Sequence, residues 1–351
     1  MELAALGWSP FFAAAFAEHG QRGLLPARVV GEDKLHYTVV GEQGDVLAVI
    51  SGKVHHRRGS DSALPKVGDW VAIERQPGEA KAIIHAVLPR RTTLTRKVTG
   101  REIREQVLAT NLDTAFIVQA LDSTLNFRRL ERFLVMVHEG GAQPAVVLNK
   151  ADLCDDVDAK VAEAQKIVGD SPIVVVSART RKGIGKLREF IPPGATVGFI
   201  GTSGVGKSSL INRLIGEATQ PTIEVRGSDS KGRHSTTWRE IIPLPQGGLV
   251  VDTPGMREFH MWLADGGLDE AFPDITEIAA GCRFRDCTHH NEPGCAVKAA
   301  VEGGKLASDR HANFLKLQTE LASMAEKRKQ HVYSVNRHRE KMGTKAWLKS
   351  E

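Results

Sequence analysis

Cysteine is scarce in this sequence, with four in 351 residues, which argues against a disulfide framework. No apolar run reaches the roughly 18 residues that a membrane-spanning helix needs. The opening stretch MELAALGWSPFFAAAFAEHG lacks both a basic leader and a cleavage site. It therefore reads as a helical lead-in over residues 1–24 and not as a signal peptide. These absences exclude a disulfide-stapled secreted domain and a helical membrane span, and they make the cytoplasm the expected compartment. Acid is nearly missing from one stretch. Between 327 and 349, Lys327, Arg328, Lys329, Arg337, Arg339, Lys341, Lys345 and Lys349 face Glu340 alone, a net +7 in a chain whose total is +5. The remainder carries about −2. Such a concentration is the electrostatic footprint of a polyanion binder, and taken alone it equally describes a solvated tail.

The length suits two or three domains, and a hydrophobic content of 41% with both charge signs mixed can fill real cores. Over 25–95, five β-rich runs (ARVVG, LHYTVVG, DVLAVISGKV, VGDWVAIER, AKAIIHAVLP) alternate with turns. That pattern predicts a small antiparallel barrel, with the five-stranded OB-fold as the natural candidate. Lys53, His55, His56, Arg57 and Arg58 follow one strand, either to touch a phosphate backbone or as a solvated loop. Arg90, Arg91, Arg96 and Lys97 read as a linker. Over 100–265 the buried runs TAFIVQAL, PAVVLNK, SPIVVVSA, ATVGFIG and GGLVVDTPG are separated by helical periodicity in FRRLERFLVMVHEGG and KVAEAQKIVG. Alternation of this kind predicts a mostly parallel sheet covered on both faces. Over 270–351 a Cys/His knot precedes a polar helix through 305–332 and the basic tail.

Residues 201–208 read GTSGVGKS, leaving a buried run and opening a helical one. This is the P-loop pattern. Gly201, Thr202, Ser203, Gly204, Val205 and Gly206 let backbone amides approach a polyphosphate at a helix N-terminus. Lys207 reaches the β- and γ-phosphates, Ser208 offers its hydroxyl to Mg2+, and Ser209 continues the first turn. Asp252 of DTPG is placed to hold the magnesium through water, and the Gly255 amide to meet the γ-phosphate. In NKAD, the Asp152 carboxylate can accept the N1–H and the exocyclic amine of guanine. Adenine offers neither donor there, so ATP would leave a charged acceptor unpaired. Asn149 can tether the loop, Lys150 can lie along the ring face, and in the SAR triplet after Ser177 the Ala178 amide can reach guanine O6. All four loops follow strands at the ends where open α/β sheets bind ligands. In ordinary GTPases the P-loop comes first. Here the order is NKAD, SAR, P-loop, switch, DTPG, the same cycle cut between DxxG and NKxD and rejoined through IPPG at 191–194. The domain is circularly permuted, and the DTPG loop leads within about thirty residues into the Cys/His module.

That module, CRFRDCTHHNEPGC, supplies Cys282, Cys287, His289 and Cys295. Three thiolates and an imidazole match a closed structural zinc site, with His289 favoured over His290 on spacing. Cys154 lies apart and reads as an ordinary thiol.

Together these residues carry a specific resemblance. A barrel, then NKAD, SAR, GTSGVGKSS, GRHSTT and DTPG, then CRFRDCTHHNEPGC, resembles the ribosome small-subunit-dependent GTPase A (RsgA) family over nearly the whole chain. The resemblance implies an N-terminal OB-fold, a permuted GTPase domain and a C-terminal zinc module. It implies hydrolysis of GTP to GDP and phosphate, coupled to late maturation of the small ribosomal subunit, with ribosomal RNA as the bound surface and a monomer as the working form. The family's switch has His followed by threonines, whereas here it reads His234, Ser235, Thr236, Thr237. Thr236 is the expected magnesium hydroxyl. Met256 stands where Ras-like enzymes often place a water-orienting Gln, so His234 is the nearest candidate for that role, or else only positions the switch or touches RNA. The alternative function is an RNA-binding adaptor stabilised by GTP, with incidental hydrolysis; the full set of Lys207, Ser208 and Asp252 favours the enzyme.

Overall fold

The computed structural model describes residues 2–33, 36–52, 54, 63–76, 78–98, 104–216, 239–252, 267–323 and 326. The five N-terminal runs are strands β1 (Leu25–Asp33), β2 (His36–Gly41), β3 (Gly44–Ile50), β4 (Trp70–Arg75) and β5 (Lys81–Val87). They neighbour one another in the order β1-β2-β3-β5-β4, and β4 pairs back onto β1, so the barrel closes. β3 and β5 run parallel, and the other pairs are antiparallel. This five-stranded closed barrel is the expected OB-fold. Alternation along β3 shows why it closes: Val46 and Ala48 are buried with Val29, Val39, Ile73 and Ile84, while Leu47 and Val49 are exposed. Helix α1 (Pro10–Gln21) covers one end. Trp8 and Phe12 pack on the buried Trp70, with ring centroids 4.6 and 5.9 Å away.

The second sheet has near-continuous apolar strands, as burial on both faces requires. β8 (Thr114–Ala120), β9 (Gln143–Asn149), β10 (Ile173–Val175), β11 (Thr196–Ile200) and β13 (Leu249–Asp252) are parallel. β12 (Arg239–Pro243) lies antiparallel to β13. The spatial order is β10-β9-β8-β11-β13-β12. The P-loop strand β11 is therefore central, although three strands of its sheet precede it in the chain. That is what the permuted motif order requires. Helices α2 (Phe127–Glu139) and α3 (Val157–Val168) cover one face. α4 (Ile184–Glu189) and α5 (Lys207–Ile215) cover the other. α2 begins where the Asn126 side chain accepts the Arg129 N–H at 2.9 Å, a standard N-cap.

Two features depart from the sequence reading. The stretch read as a linker contains a hairpin, β6 (Thr93–Val98) with β7 (Arg104–Thr110), so Arg96 and Lys97 belong to a strand. Arg90 is pinned by the buried Asp69, Nη2 to Oδ2 at 2.7 Å. The second feature is β12, which pairs with β1 (Gly31 with Glu240, Glu32 with Arg239) and so runs the barrel and the α/β sheet into eleven consecutive strands. Arg28, fully buried at this junction, donates to Thr196 Oγ1 at 2.8 Å, to Asn111 O at 3.2 Å, to Gly68 O at 3.3 Å and to Leu6 O. Burial brings its pKa down to about 10, so the cation persists at neutral pH. One side chain thus ties the lead-in, the barrel and the first residue of the P-loop strand.

The C-terminal module contains α6 (Gly267–Ala271), α7 (Pro273–Ala279), α8 (Ala296–Glu302) and α9 (308–323), the last within the span expected to be helical. It packs on α2. Glu131 of α2 is fully buried and accepts from Arg128 at 2.6 Å, from Arg310 at 2.7 Å and from Asn313. Arg310 also grips Asp274 through two bonds of 2.6 Å and lies 4.6 Å from the Phe272 ring centroid. The sites at Lys53, His55, His56, Arg57 and Arg58, and the tail from 327, lie outside the described residues.

Candidate functional site

At the carboxyl ends of β8, β9, β10 and β11 the chain turns four times around one hollow. After β11 the P-loop needs positive φ at Gly201 (149°) and Gly206 (97°). A Cβ at Gly201 would sit 2.5 Å from Val118 O, and one at Gly206 would strike the Asn149 amide. Only glycine fits at both. Lys207 opens α5 and folds its ammonium back into the loop, donating to Gly201 O at 2.6 Å and Thr202 O at 2.8 Å. Ser208 and Ser209 follow it in the first turn, exposed. β13 lies beside β11 in parallel register, which brings Asp252 at its end to the P-loop side of the sheet. Lysine, hydroxyl and carboxylate thus stand at the ends of two neighbouring strands, β11 and β13, a set suited to Mg2+ with a polyphosphate.

The loop after β9 is fastened by Asn149. Its Nδ2 donates to Val205 O at 2.8 Å, and its Oδ1 accepts the Ala178 N–H at 3.1 Å. One buried amide therefore joins NKAD, SAR and the P-loop. The Ala178 amide, expected on a base carbonyl, is engaged by Asn149, so a ligand there shares that donor. Asp152 Oδ1 accepts the Ser177 hydroxyl at 2.6 Å, and Oδ2 lies 3.9 Å from the exposed Arg179. The Ser177 hydrogen bond holds the Asp152 carboxyl below the usual carboxylate range. Lys150, in a left-handed backbone conformation (φ 63°), places Nζ 2.8 Å from Asp122 Oδ2. Its hydrogen bond, with those from Thr124, lowers Asp122 to about 2. Arg213 Nε donates to Ala178 O at 2.9 Å, bracing the SAR turn from α5. The open cavity is about 710 Å3, lined by Asn149, Lys150, Asp152, Ala178, Gly206 and Ser209 among others. That is within the range of small-molecule and cofactor sites.

The second cluster joins Cys282, Cys287, His289 and Cys295, whose ligand atoms all lie within 4.8 Å of one another. Sulfurs about 2.3 Å from a tetrahedral zinc stand about 3.8 Å apart, and sulfur to nitrogen about 3.6 Å. Here Cys282 Sγ to Cys295 Sγ is 4.0 Å, and His289 Nδ1 lies 3.6 and 3.5 Å from them. The donor set and its spacing fit a closed zinc site. Cys295 caps α8, its sulfur accepting the Lys298 N–H at 3.5 Å. Without a cation, burial pushes the Cys287 thiol up to about 11. His290 is exposed with Nδ1 against Thr288 O, away from the cluster.

The profile of the RsgA GTPase family matches residues 87–262, and that of the 50S ribosome-binding GTPases matches 196–335. Among curated relatives, the "Small ribosomal subunit biogenesis GTPase RsgA" of Opitutus terrae is 46% identical over 334 residues, 93% of this chain and 91% of that one. The chain belongs to the RsgA GTPase family. The RsgA of Methanosarcina acetivorans is 41% identical over 322 residues, 92% and 86% of the two chains. Among solved structures, YjeQ from Thermotoga maritima superposes with TM-score 0.64 at 30% identity, covering 85% of this chain and 99% of that one. YloQ, titled a circularly permuted GTPase, gives 0.62 at 26%, covering 86% and 96%. The chain is thus a circularly permuted GTPase.

Two residues of this RsgA site went unread in the sequence. Asp122 stands two positions beyond β8 on the same rim as the motifs, and a carboxylate ending a buried strand was the available signal. Arg213, in the last turn of α5, gives none. His234, Thr236, Gly255 and Met256 lie outside the described residues.

Proposed function

We propose that this RsgA-family GTPase is a GTP-driven switch that binds the small ribosomal subunit through its RNA, acts late in that subunit's maturation, and is stimulated by it to hydrolyse GTP. What carries this is the rim in which Asn149 joins three nucleotide loops while Asp152, held ionised by Ser177, lines the same cavity. The names of relatives covering nine-tenths of both chains support the small subunit over the large one. In this reading Asp152 reads guanine, Ala178 and Lys150 frame the base, and the amides of 201–206 with Lys207 hold the phosphates. Ser208, Thr236 and Asp252 would hold Mg2+, which when bound neutralises charge on the phosphate oxygens. Gly255 senses the γ-phosphate, and His234 orients the attacking water once the subunit is bound. Cys282, Cys287, His289 and Cys295 hold one structural zinc with no open position. The protein works as a cytoplasmic monomer, with units at 1–24, 25–95, 100–265 and 270–351.

Sedimentation with purified subunits tests this. In a non-hydrolysable GTP analogue the protein should travel with small subunits, and in GDP it should be released. Equal association with large subunits, or no nucleotide dependence, contradicts the proposal.

A further inference from the structure

Arg179, Arg181, Lys182, Lys186 and Arg188 are all exposed, and with the exposed Glu189 that closes α4 they leave the turn and helix a net +4. Apart from its tail the chain carries a slight negative charge, so this density runs against the rest of the surface. The cations occupy the turn after β10 and helix α4, facing α5. There a hollow of about 290 Å3 is lined by Arg181, Arg188, Arg213, Asn212 and Gly216, and the last three also line the nucleotide cavity.

The turn has two working sides. Ser177 N donates to Lys182 O at 2.9 Å, and Thr180 N donates to Ser177 Oγ at 3.0 Å. Ser177 Oγ–H in turn meets Asp152, and Ala178 O is braced by Arg213. Ser177 and Ala178 therefore belong to the nucleotide rim, while Arg181, Lys182 and, one helix turn on, Lys186 and Arg188 present charge outward. The stretch 179–188 contains no aromatic ring, so it offers no aromatic platform for a base to stack on. Spread cations without an aromatic platform favour the phosphate backbone over sequence reading, and the arginines at the hollow can grip a phosphate with paired N–H donors.

We infer that the turn 177–183 with α4 is a docking surface for the phosphate backbone of RNA, lying against the loop that frames the nucleotide. This deepens the small-subunit reading and rests on it. RNA held there steadies Ser177 and Ala178, so RNA and GTP binding strengthen each other by the same factor.

The test is a full-length variant carrying Arg181→Gln, Lys182→Gln, Lys186→Gln and Arg188→Gln. GTP affinity and turnover without subunits should match the parent, which also reports folding. If folding fails, the pair Lys182→Glu and Lys186→Glu replaces it. Affinity for small subunits should fall, and the slope of log K against log salt should flatten by about 0.9 for each duplex phosphate no longer neutralised. The same weakening should appear with naked small-subunit RNA. A variant that binds small subunits with parental affinity and slope overturns the inference while the small-subunit reading stands. Weakening on subunits but not on naked RNA assigns the patch to a ribosomal protein and overturns it too. Failure of the parent to bind subunits at all removes the underlying reading, and this inference with it.

Discussion

At the scale of single residues, the site is governed by who already holds each polar atom. Asp152 is poised by one hydroxyl, Ser177 Oγ at 2.6 Å, and only its ionised form can accept both guanine donors. Asp152→Asn should weaken GTP binding on the order of 10- to 100-fold, the loss of hydrogen bonds to a charged acceptor, with an unchanged thermal unfolding profile. Unaltered GTP binding with ATP still excluded would remove Asp152 from base reading. The pH dependence follows from the depressed pKa. The carboxylate's contribution is present above the ordinary carboxylate range and is lost as pH falls through the lowered folded value. Asp152's own contribution to GTP affinity should therefore persist down to the ordinary carboxylate pKa of about 4 and decline only below it. Ser177→Ala removes the largest cause of the depression, so the decline should begin at higher pH. Calorimetric titration at stepped pH checks this, and coincident acid limbs contradict it. The motif residues were legible because a phosphate loop and a guanine-reading loop demand fixed residue types at fixed spacing. Asp122 and Arg213 were not, because their partners, Lys150 and Ala178 O, stand 28 and 35 positions away.

At the scale of elements, the zinc module is anchored on α2. Arg310, Asp274 and Asn313 form a network around the buried Glu131, between helices distant in sequence. Removing one partner of a buried ion pair strands the others. Glu131→Ala should cost about 3–5 kcal/mol, read as a lowered denaturation midpoint, and should increase hydrogen exchange from 267 to 323. A shift under about 1 kcal/mol, the scale of an exposed pair, contradicts it. Metal removal acts on the same module from the other side. Strong chelation should loosen it while GTP binding persists, since zinc binding is folding free energy, and elemental analysis should find one zinc per chain. Protein purified without chelators that holds no metal contradicts this. The cluster was readable because four ligands fall within fourteen residues. The hairpin β6–β7 was hidden behind charged residues that resemble a linker. β12 was hidden because five residues, REIIP, give too short an alternation to stand out. Its reason for existing is a partner more than two hundred positions earlier, β1.

At the scale of the molecule, β1–β12 pairing and Arg28 make barrel and GTPase sheet continuous, with Arg28 bonded to the residue that starts the P-loop strand. A small subunit that engages the barrel would thus act on a frame already joined to the nucleotide loops. With Met256 in place of a water-orienting Gln, hydrolysis by the protein alone should be slow, about 10⁻⁴ to 10⁻² s⁻¹. The most direct measurement is multiple-turnover GTP hydrolysis with and without purified small subunits, for the parent and for His234→Ala. The parent should turn over slowly alone and markedly faster with small subunits, and His234→Ala should lose that rise while still binding GTP and the subunit. A parental rate that small subunits leave unchanged would contradict the switch, and full stimulation of His234→Ala would take His234 out of the mechanism.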